Sequence, residues 1–553
     1  MSHGAGRADL ILTNGRIYTV DPAKPWVEAV AVAGGRILAV GSHAEISGFA
    51  GSATTTVDLQ GRMAMPGFVD IHNHIMMGGQ ADLFESQIKA GATVDDICTH
   101  VRGQAENAAS GQWIVANQWG ADMMAALNTQ TALASLDAAS LGHPVLLRDE
   151  TMHNRWVNSE AMRLSGISDN QPDPPAGAFG RDPKTGRLTG LLIESAAGIV
   201  ERVAADHFTE AMGEAAVARA VEIVNSHGVT AFQDAASVLP ILKALANLDR
   251  KDKLTAWAVT SLPLIEPSFM FGLSGDELLA LRDQYRTSHV RPNFTKIFLD
   301  GVPGAQTAAF HDAYVQDSAH PPGHRGEVLV TYPDLVRHID KSEKLGMGLK
   351  IHCTGDYAVT EMLDAVEAVR HFNGPAKVLH HIAHASYIRA DDISRFAELG
   401  VVADLCPMIW YPTTFLEGHK AVMGEERATR FWPIADLRKS GALLAGGSDW
   451  PVIPVPDPWH GIEGMVTRQN PSGAFPGVSL WAEQAIDLAS AIEIYTLNSA
   501  IAMGIEGETG SLDPGKSADI IVLDQNVFEI PANRIAGTKV LTTYFEGKAV
   551  FQR

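Results

Sequence analysis

Short apolar runs alternate with turn residues at both ends of the chain, a pattern typical of β-strands. From about residue 8 to 64 the runs are Leu10 to Leu12, Arg16 to Val20, Ala29 to Val32, Arg36 to Val40 and Thr55 to Leu59. Near the other end they are Asp519 to Asp524, Val540 to Tyr544 and Ala549 to Phe551. We expect antiparallel sheet in both regions. Residues 1–64 and 505–553 are predicted to pair into one small β-sandwich domain.

Residues 65–504 show a different pattern, in which short apolar runs alternate with stretches of helical periodicity. The strand candidates are Pro66 to Ile71, Val229 to Gln233, Leu254 to Leu262, Asn293 to Leu299, Gly348 to His352, Lys377 to Ile382, Val401 to Leu405 and Ala442 to Ala445. The helix candidates include Glu210 to Ser226, Asp334 to Leu345, Val359 to Phe372 and Asp391 to Leu399. Eight strand–helix units predict an α/β fold, a (β/α)8 TIM barrel.

The stretch from about residue 80 to 205 is too long for a simple connection between barrel units. We therefore expect an inserted subdomain over the barrel mouth. Its larger apolar and aromatic residues are expected mainly to pack in a core, and they also hint at a hydrophobic or aromatic substrate. They are Trp113, Trp119, Met123, Met124 and Trp156, with His153 among them.

Composition and charge narrow the class of protein. The 553 residues are 46% hydrophobic and 19% charged, which is typical of a globular protein. The chain has no run of 18 apolar residues, the length expected of a membrane span. A net charge of −21 disfavours nucleic acid as a partner and favours a small-molecule substrate. Three scattered cysteines and the absence of a signal-like N-terminus predict a cytoplasmic protein without disulfides. A homodimer is left open.

Polar residues with metal-binding chemistry follow the predicted barrel strands. His72 and His74 end the first strand one residue apart, so their imidazoles share a face. They indicate a metal site, although two polar residues at a strand end are also commonly just hydrated. His352 ends the fifth strand, and a ligand role competes there with that of a core histidine.

The sixth strand offers three histidines, His380, His381 and His384, and we favour His384 because it lies nearest the end of the strand. After the eighth strand, Asp449 follows two glycines that allow a close backbone approach. Asp449 could bind a metal and take a proton from water. It could equally cap a turn beside Pro451.

Lys296 lies inside an apolar strand, where burial of an unpaired ammonium is unfavourable. Desolvation lowers the pKa of such a lysine, and the neutral amine can take up carbon dioxide to form an anionic carbamate that bridges two cations. The alternative is an ion pair with a neighbour such as Asp300.

Six segments of the chain occur in a characteristic order: Pro66 to His74, Lys296 to Gly301, His352 to Ala358, Ile382 to Ala385, Gly447 to Val452 and Gly510 to Asp519. Together they resemble the amidohydrolase superfamily, and within it the branch of YtcJ-like hydrolases that includes N-substituted formamide deformylases. The resemblance covers nearly the whole chain. Ala383 and Tyr357 depart from it, because the family commonly has Glu and Arg at these positions.

The resemblance implies one or two divalent metals, usually zinc, and no other cofactor. It implies a ligand set of His72, His74, carbamylated Lys296, His352, His384 and Asp449. The segment Met152 to Ser159 resembles an insertion motif that lies near the substrate in the family, so we expect His153 to contact the substrate. Asp449, His352 and His153 are the predicted catalytic residues.

The leading hypothesis is hydrolysis of an amide or related C–N bond by a metal-activated water, with Asp449 as the proton shuttle. The same barrel also supports decarboxylases, isomerases and hydratases, because fold alone does not fix the chemistry. A non-catalytic binding protein is the third hypothesis, and the complete ligand set argues against it.

Overall fold

The computed structural model describes residues 6–89, 91–175, 177–267, 272–317, 320–406 and 410–553. Residues 1–5, which belong to the predicted β-sandwich domain, lie outside these ranges.

The strands are β1 (Leu10–Thr13), β2 (Arg16–Tyr18), β3 (Trp26–Val27), β4 (Ala29–Ala33), β5 (Arg36–Gly41), β6 (Thr55–Asp58), β7 (Met63–Pro66), β8 (Phe68–Asn73), β9 (Ser86–Gln87), β10 (Ile114–Trp119), β11 (Val145–Asp149), β12 (Asn154–Val157), β13 (Gly177–Arg181), β14 (Leu188–Glu194), β15 (Val229–Asp234), β16 (Trp257–Pro263), β17 (Val290–Phe298), β18 (Gly348–Cys353), β19 (His380–His384), β20 (Val401–Leu405), β21 (Leu444–Gly446), β22 (Ile520–Leu523), β23 (Val540–Phe545) and β24 (Lys548–Gln552).

The α-helices are α1 (His43–Ser47), α2 (Ile75–Phe84), α3 (Val94–Ala105), α4 (Met124–Leu127), α5 (Gln130–Ala139), α6 (Ser159–Leu164), α7 (Ser195–Ala205), α8 (Glu210–Ser226), α9 (Leu239–Arg250), α10 (Gly275–Leu279), α11 (Tyr332–Lys344), α12 (Asp356–Asn373), α13 (Ile393–Leu399), α14 (Thr414–Met423), α15 (Glu425–Ala428), α16 (Ile434–Ser440), α17 (Pro458–Thr467), α18 (Leu488–Ile494) and α19 (Leu497–Met503).

An eight-stranded parallel sheet forms the centre of the molecule, in the order β8, β15, β16, β17, β18, β19, β20, β21. Its strands are almost continuously buried because helices cover the outer face and side chains fill the interior. The backbone N–H of Asp449 donates to the carbonyl of His72 over 2.7 Å, which joins the end of the eighth strand to the first. The predicted barrel is confirmed.

Both termini build the second region, again as predicted. One sheet has the order β5, β4, β1, β6, and the other, β24, β23, β22, β7, β2, β3, combines strands from the two ends of the chain. The expectation of purely antiparallel pairing was wrong, because β1 pairs with β6 and β2 with β7 in parallel. In both pairs the chain passes through intervening segments, including other strands, before it returns.

The inserted subdomain is built on a six-stranded sheet in the order β13, β14, β12, β11, β10, β9. Trp119 and Trp156 are fully buried in it and donate their indole N–H to the carbonyls of Leu147 and Thr189. Core packing is therefore their role, as expected from their residue type. Among the described residues, no helix is long and apolar enough to cross a membrane.

Candidate metal centre

A cavity of about 1240 Å³ lies where the carboxyl ends of the barrel strands meet the inserted subdomain. Its base carries the polar residues predicted from the strand ends, and its walls are mainly apolar and aromatic. The polar residues at the base are His72, His74, His153, His352, His384 and Asp449. Aromatic rings on the walls come from Phe179, Phe298, Phe415, Phe431 and Trp432.

His72, His74 and Asp449 form a tight group of donor atoms, which all lie within 4.8 Å of one another. Nε2 of His72 is 3.6 Å and Nε2 of His74 is 3.5 Å from Oδ1 of Asp449. These separations are too long for hydrogen bonds and suit atoms that share one cation.

Local packing explains why Asp449 lies against the first strand. Asp70, buried in β8, accepts hydrogen bonds from the backbone N–H of Ser448 at 3.0 Å and from its hydroxyl at 2.6 Å. A Cβ atom on Gly447 would lie 2.7 Å from the backbone nitrogen of His72, so the close approach requires glycine. Gly447, the second of the two glycines before Asp449, thus allows the close backbone approach predicted for the pair.

His384 and His352 complete the ring of imidazoles. Nδ1 of His384 lies 3.9 Å from Oδ2 of Asp449, and its ring centre is 4.8 Å from that of His72 and 4.5 Å from that of His352. His352 donates from Nε2 to the carbonyl of Gly301 over 3.1 Å, which leaves its Nδ1 as the nitrogen available to a metal.

The other two histidines of the sixth strand point elsewhere. His380 bonds Glu343 through Nε2 at 2.9 Å and accepts the backbone N–H of Leu349 at Nδ1. His381 donates from Nε2 to the carbonyl of Ala502. The geometry therefore favours His384 over His380 as the ligand.

Lys296 is fully buried, and its Nζ has no hydrogen-bond partner within the described ranges. Nζ lies 4.5 Å from the ring centre of Phe298. The alternative ion pair with Asp300 is absent there: Asp300 accepts the backbone N–H groups of Ala309, Thr354 and Gly355. Burial, and after it the charge of Lys350, lowers the pKa of Lys296 to about 8.

The sequence analysis did not predict two buried residues beside the candidate site, Asp404 of β20 and Lys350 of β18. Asp404 is fully buried, pairs with Lys350, and has its Oδ2 3.3 Å from Nδ1 of His72. A carboxylate on the far nitrogen of a metal-binding imidazole fixes the tautomer and the orientation of the ring. Lys350 repeats the pattern of Lys296, a lysine inside an apolar strand, and that signal could have revealed it.

His153 reaches the cavity from the inserted subdomain and is held by Glu194, which the sequence analysis also missed. Nδ1 of His153 is 2.9 Å from Oε2 of Glu194, and Thr307 of a barrel loop donates to Oε1 of the same carboxylate at 2.7 Å. Burial opposes the charged form of the imidazole, but the Glu194 carboxylate outweighs it and raises the pKa of His153.

The electrostatics of the centre favour neutral imidazoles. Burial, followed by the charge of Lys296, lowers the pKa of His74 to about 3, and burial also lowers the pKa values of His72, His352 and His384. Burial raises the pKa of Asp449 to about 7. Neutral imidazoles are the form that binds metals.

Three residues of the candidate site have a strained backbone. His384 has φ 71°, Asp449 φ 55° and Glu194 φ 51°, all in the region that side chains other than glycine rarely adopt. Each such residue costs about 1–3 kcal/mol and persists at sites whose surroundings fix it.

The residues fit a divalent cation on observations of this structure alone. Nε2 of His72 is buried without a hydrogen-bond partner among the described residues, and it is one of the donor atoms of the tight group. Nitrogen and carboxylate donors in such a cluster suit zinc and neighbouring transition metals. A second group, His72, Asp404 and Cys406, shares His72 with the first.

A parallel (β/α)8 barrel with a cluster of imidazoles and an aspartate at its mouth has the architecture of a metal-assisted enzyme. The model of the amidohydrolase family matches residues 55–551. The chain belongs to this family.

Named relatives align over nearly the full length. An N-substituted formamide deformylase from Arthrobacter pascens is 27% identical, covering 99% of this chain and 98% of the relative. The putative amidohydrolase YtcJ of Bacillus subtilis is 28% identical, with 98% of each chain covered. The protein LONG AFTER FAR-RED 3 of Arabidopsis thaliana is 29% identical, with 98% and 92% covered.

Among solved structures, an uncharacterized metal-dependent hydrolase from Pyrococcus horikoshii superposes with a TM-score of 0.74 at 23% identity, covering 95% of this chain and 99% of its own. An adenosine deaminase from Xanthomonas campestris with bound zinc gives a TM-score of 0.53 at 16% identity, with 98% and 93% covered. At these identities the superpositions show the shared fold.

Proposed function

We propose that this protein is a metal-dependent hydrolase that cleaves an amide or related C–N bond in a small substrate with a hydrophobic or aromatic group. The observation that carries the proposal is the convergence of His72, His74 and Asp449 at the base of the large cavity. The name of the Arthrobacter pascens relative supports a C–N bond as the target. The aromatic walls of the cavity support an apolar substituent.

The proposed ligands are His72, His74, His352, His384, Asp449 and Lys296 as its carbamate, holding one or two zinc ions. When bound, the metal lowers the pKa of a water molecule and polarises the scissile carbonyl.

Asp449 is the proposed proton shuttle. Its carboxylate lies beside the imidazole cluster, where it accepts a proton as water attacks the carbonyl carbon and then passes that proton to the leaving nitrogen. The pKa of Asp449, raised by burial, makes the carboxylate a better base than an exposed aspartate.

His153 is the proposed stabiliser of negative charge on the carbonyl oxygen. Its ring centre lies 5.5 Å from that of His352, and Glu194 fixes the imidazole through Nδ1. The contact from Thr307 holds the carboxylate from the barrel side. A preorganised donor of this kind stabilises the transition state more than the ground state.

Product analysis tests the reaction. Purified protein with zinc or manganese is assayed on N-substituted formamides, N-acyl amines, lactones and aromatic acids. Hydrolysis of an amide releases an acid and an amine, and hydrolysis of a lactone gives a single hydroxy acid. Conversion to other products would instead identify a decarboxylase, isomerase or hydratase. Failure to bind metal or convert any compound would favour the binding protein.

Replacement of Asp449 tests the shuttle. Asp449→Asn should lower kcat by about 10²–10⁴-fold, because the amide cannot accept the proton. Asp487→Asn is the control, since Asp487 caps α18 at the surface and asparagine caps equally well. Wild-type turnover of Asp449→Asn with metal bound would contradict the assignment.

A further inference from the structure

A second cavity of about 1000 Å³ adjoins the metal-site cavity. It lies between the inserted subdomain, which includes α7, and helices α2, α8 and α9 of the barrel, and much of its lining is apolar. The larger apolar side chains include Met76, Phe84, Trp113, Phe208, Val238 and Ile241. Its volume is at the upper end of pockets that hold drug-sized ligands.

Three residues line both cavities and therefore separate them: Met77, Met152 and Pro451. Two of them are close in sequence to proposed site residues: Met152 directly precedes His153, and Met77 lies three residues after His74. The second cavity thus begins next to the proposed reacting centre.

Only part of this partition is fixed. The carbonyls of Pro451 and Val452 accept hydrogen bonds from the side-chain amide of Gln118, at 2.8 Å and 3.2 Å. Methionine side chains have three rotatable bonds and adapt to irregular spaces. Met77 and Met152 are therefore the movable part of the wall.

Charge in the second cavity does not favour an ionic ligand. Arg148 reaches it, but the guanidinium already bonds Glu201 at 2.6 Å, Glu85 at 2.7 Å and Asn117 at 3.1 Å. An anion would have to displace these partners in a buried network. An uncharged apolar group meets no such cost.

We propose that the second cavity binds the apolar substituent of the substrate, which extends from the metal centre past Met77 and Met152. The substrate class is then an amide with a long alkyl or extended aryl group on one side of the scissile bond. This inference rests on the proposed hydrolase function for its assay, and the wall that the two cavities share at Met77 and Met152 carries it.

The test compares chain lengths. N-alkyl formamides from butyl to dodecyl are assayed with the zinc-loaded protein, and kcat/KM should rise by up to about fourfold for each methylene that enters the cavity. Ala204 of α7 lines the second cavity and lies outside the metal-site cavity, so Ala204→Trp fills that space from its far side. The dodecyl-to-butyl ratio of kcat/KM should fall at least tenfold in this variant.

Ala215→Trp is the matched control, the same change at an exposed position of α8, and it should keep the wild-type ratio. An unchanged ratio in Ala204→Trp overturns the inference. An equal loss for all chain lengths also overturns it, because the cavity would then serve as a passage or a packing element.

Calorimetric binding of the same compounds separates this inference from the proposed function. If no compound is hydrolysed, yet dodecyl formamide binds wild type at least tenfold more tightly than Ala204→Trp, the hydrolase proposal fails and the cavity assignment stands. If neither turnover nor binding depends on chain length, the cavity assignment fails.

Discussion

At the residue scale, a few buried contacts create the proposed metal centre. Gly447 lets the chain approach His72, and Asp70 fixes Ser448 beside it. The strained φ of 55° at Asp449 then directs a carboxylate toward two imidazoles. The cost of the strain is small compared with the affinity of structural metal sites, about 10–16 kcal/mol.

The sequence predicted those site residues that follow directly after a predicted strand. His72, His74 and Asp449 lie together as expected, because strand ends of one barrel converge. Asp404 and Glu194 were not predicted, because each acts on a histidine distant in sequence, His72 and His153 respectively. Only the folded chain reveals such partners.

Replacement of Lys296 tests whether its carbamate is a metal ligand. Lys296→Met keeps the length of the side chain and removes the amine, so activity should fall at least about 100-fold and metal content should drop. Short carboxylic acids should restore part of both. Lys344→Met, at an exposed position of α11, is the control. Full activity and metal in Lys296→Met would rule out the ligand role.

The uptake of carbon dioxide by Lys296 should depend on pH. The neutral fraction of the amine rises as pH passes its pKa of about 8. Metal-free protein equilibrated with ¹³C-bicarbonate should therefore hold a larger fraction of carbamate at pH 9 than at pH 7, as measured by ¹³C NMR. No carbamate signal at either pH, with the metal-binding activity retained, would speak against this chemistry.

At the element scale, regular patterns predicted structure well and non-local pairing did not. The periodicity of Glu210 to Ser226 gave the bounds of α8, and Val401 to Leu405 those of β20. Lys377 to Ile382 began too early, because β19 starts only at His380. The parallel pairs β1–β6 and β2–β7 depend on returns of the chain that no local pattern records.

A buried ion network holds the inserted subdomain and supplies a stability prediction. Glu201 bonds Arg148 at 2.6 Å and also pairs with Arg155, and although burial opposes it, both guanidinium groups lower the pKa of Glu201 to about 2. Glu201→Gln leaves the buried Arg155 without its paired carboxylate and Arg148 with Glu85 alone. It should lower the free energy of unfolding by about 3–5 kcal/mol.

Urea denaturation followed by tryptophan fluorescence measures this loss. Glu160→Gln, which breaks only the exposed pair with Arg163, should change the free energy of unfolding far less, because exposed ion pairs contribute little. Because the pKa of Glu201 is depressed, its contribution should be present above pH 4.5 and be lost as pH falls toward 2. Equal effects of the two variants would disprove a structural role for the network.

At the scale of the whole molecule, the barrel and the inserted subdomain each contribute to one cavity. The barrel supplies the imidazoles and Asp449, and the subdomain supplies His153 with Glu194. The overall architecture was predictable because eight strand–helix units and a long insertion are visible in the sequence. The size and shape of the cavity were not, since they depend on how the two parts pack.

Metal removal should affect both stability and activity of the whole protein. A ligand that binds only the folded state stabilises it, by about 2.7 kcal/mol at a concentration 100 times its Kd. Chelation should therefore lower the melting temperature and abolish turnover, and zinc or manganese should restore both. His72→Gln should remove this response, and His371→Gln, at an exposed position, should keep it. A melting temperature unaffected by chelator and metal in the wild type would oppose a metal-binding centre.

We propose that His72, His74 and Asp449 share one metal ion. Anomalous diffraction from crystals of the zinc-loaded protein, measured on both sides of the zinc absorption edge, decides whether they do. We expect a zinc peak about 2.0–2.2 Å from Nε2 of both imidazoles and from an Asp449 oxygen. A fully active crystal form with no peak at this position, or with its only peak elsewhere, would refute a shared ion.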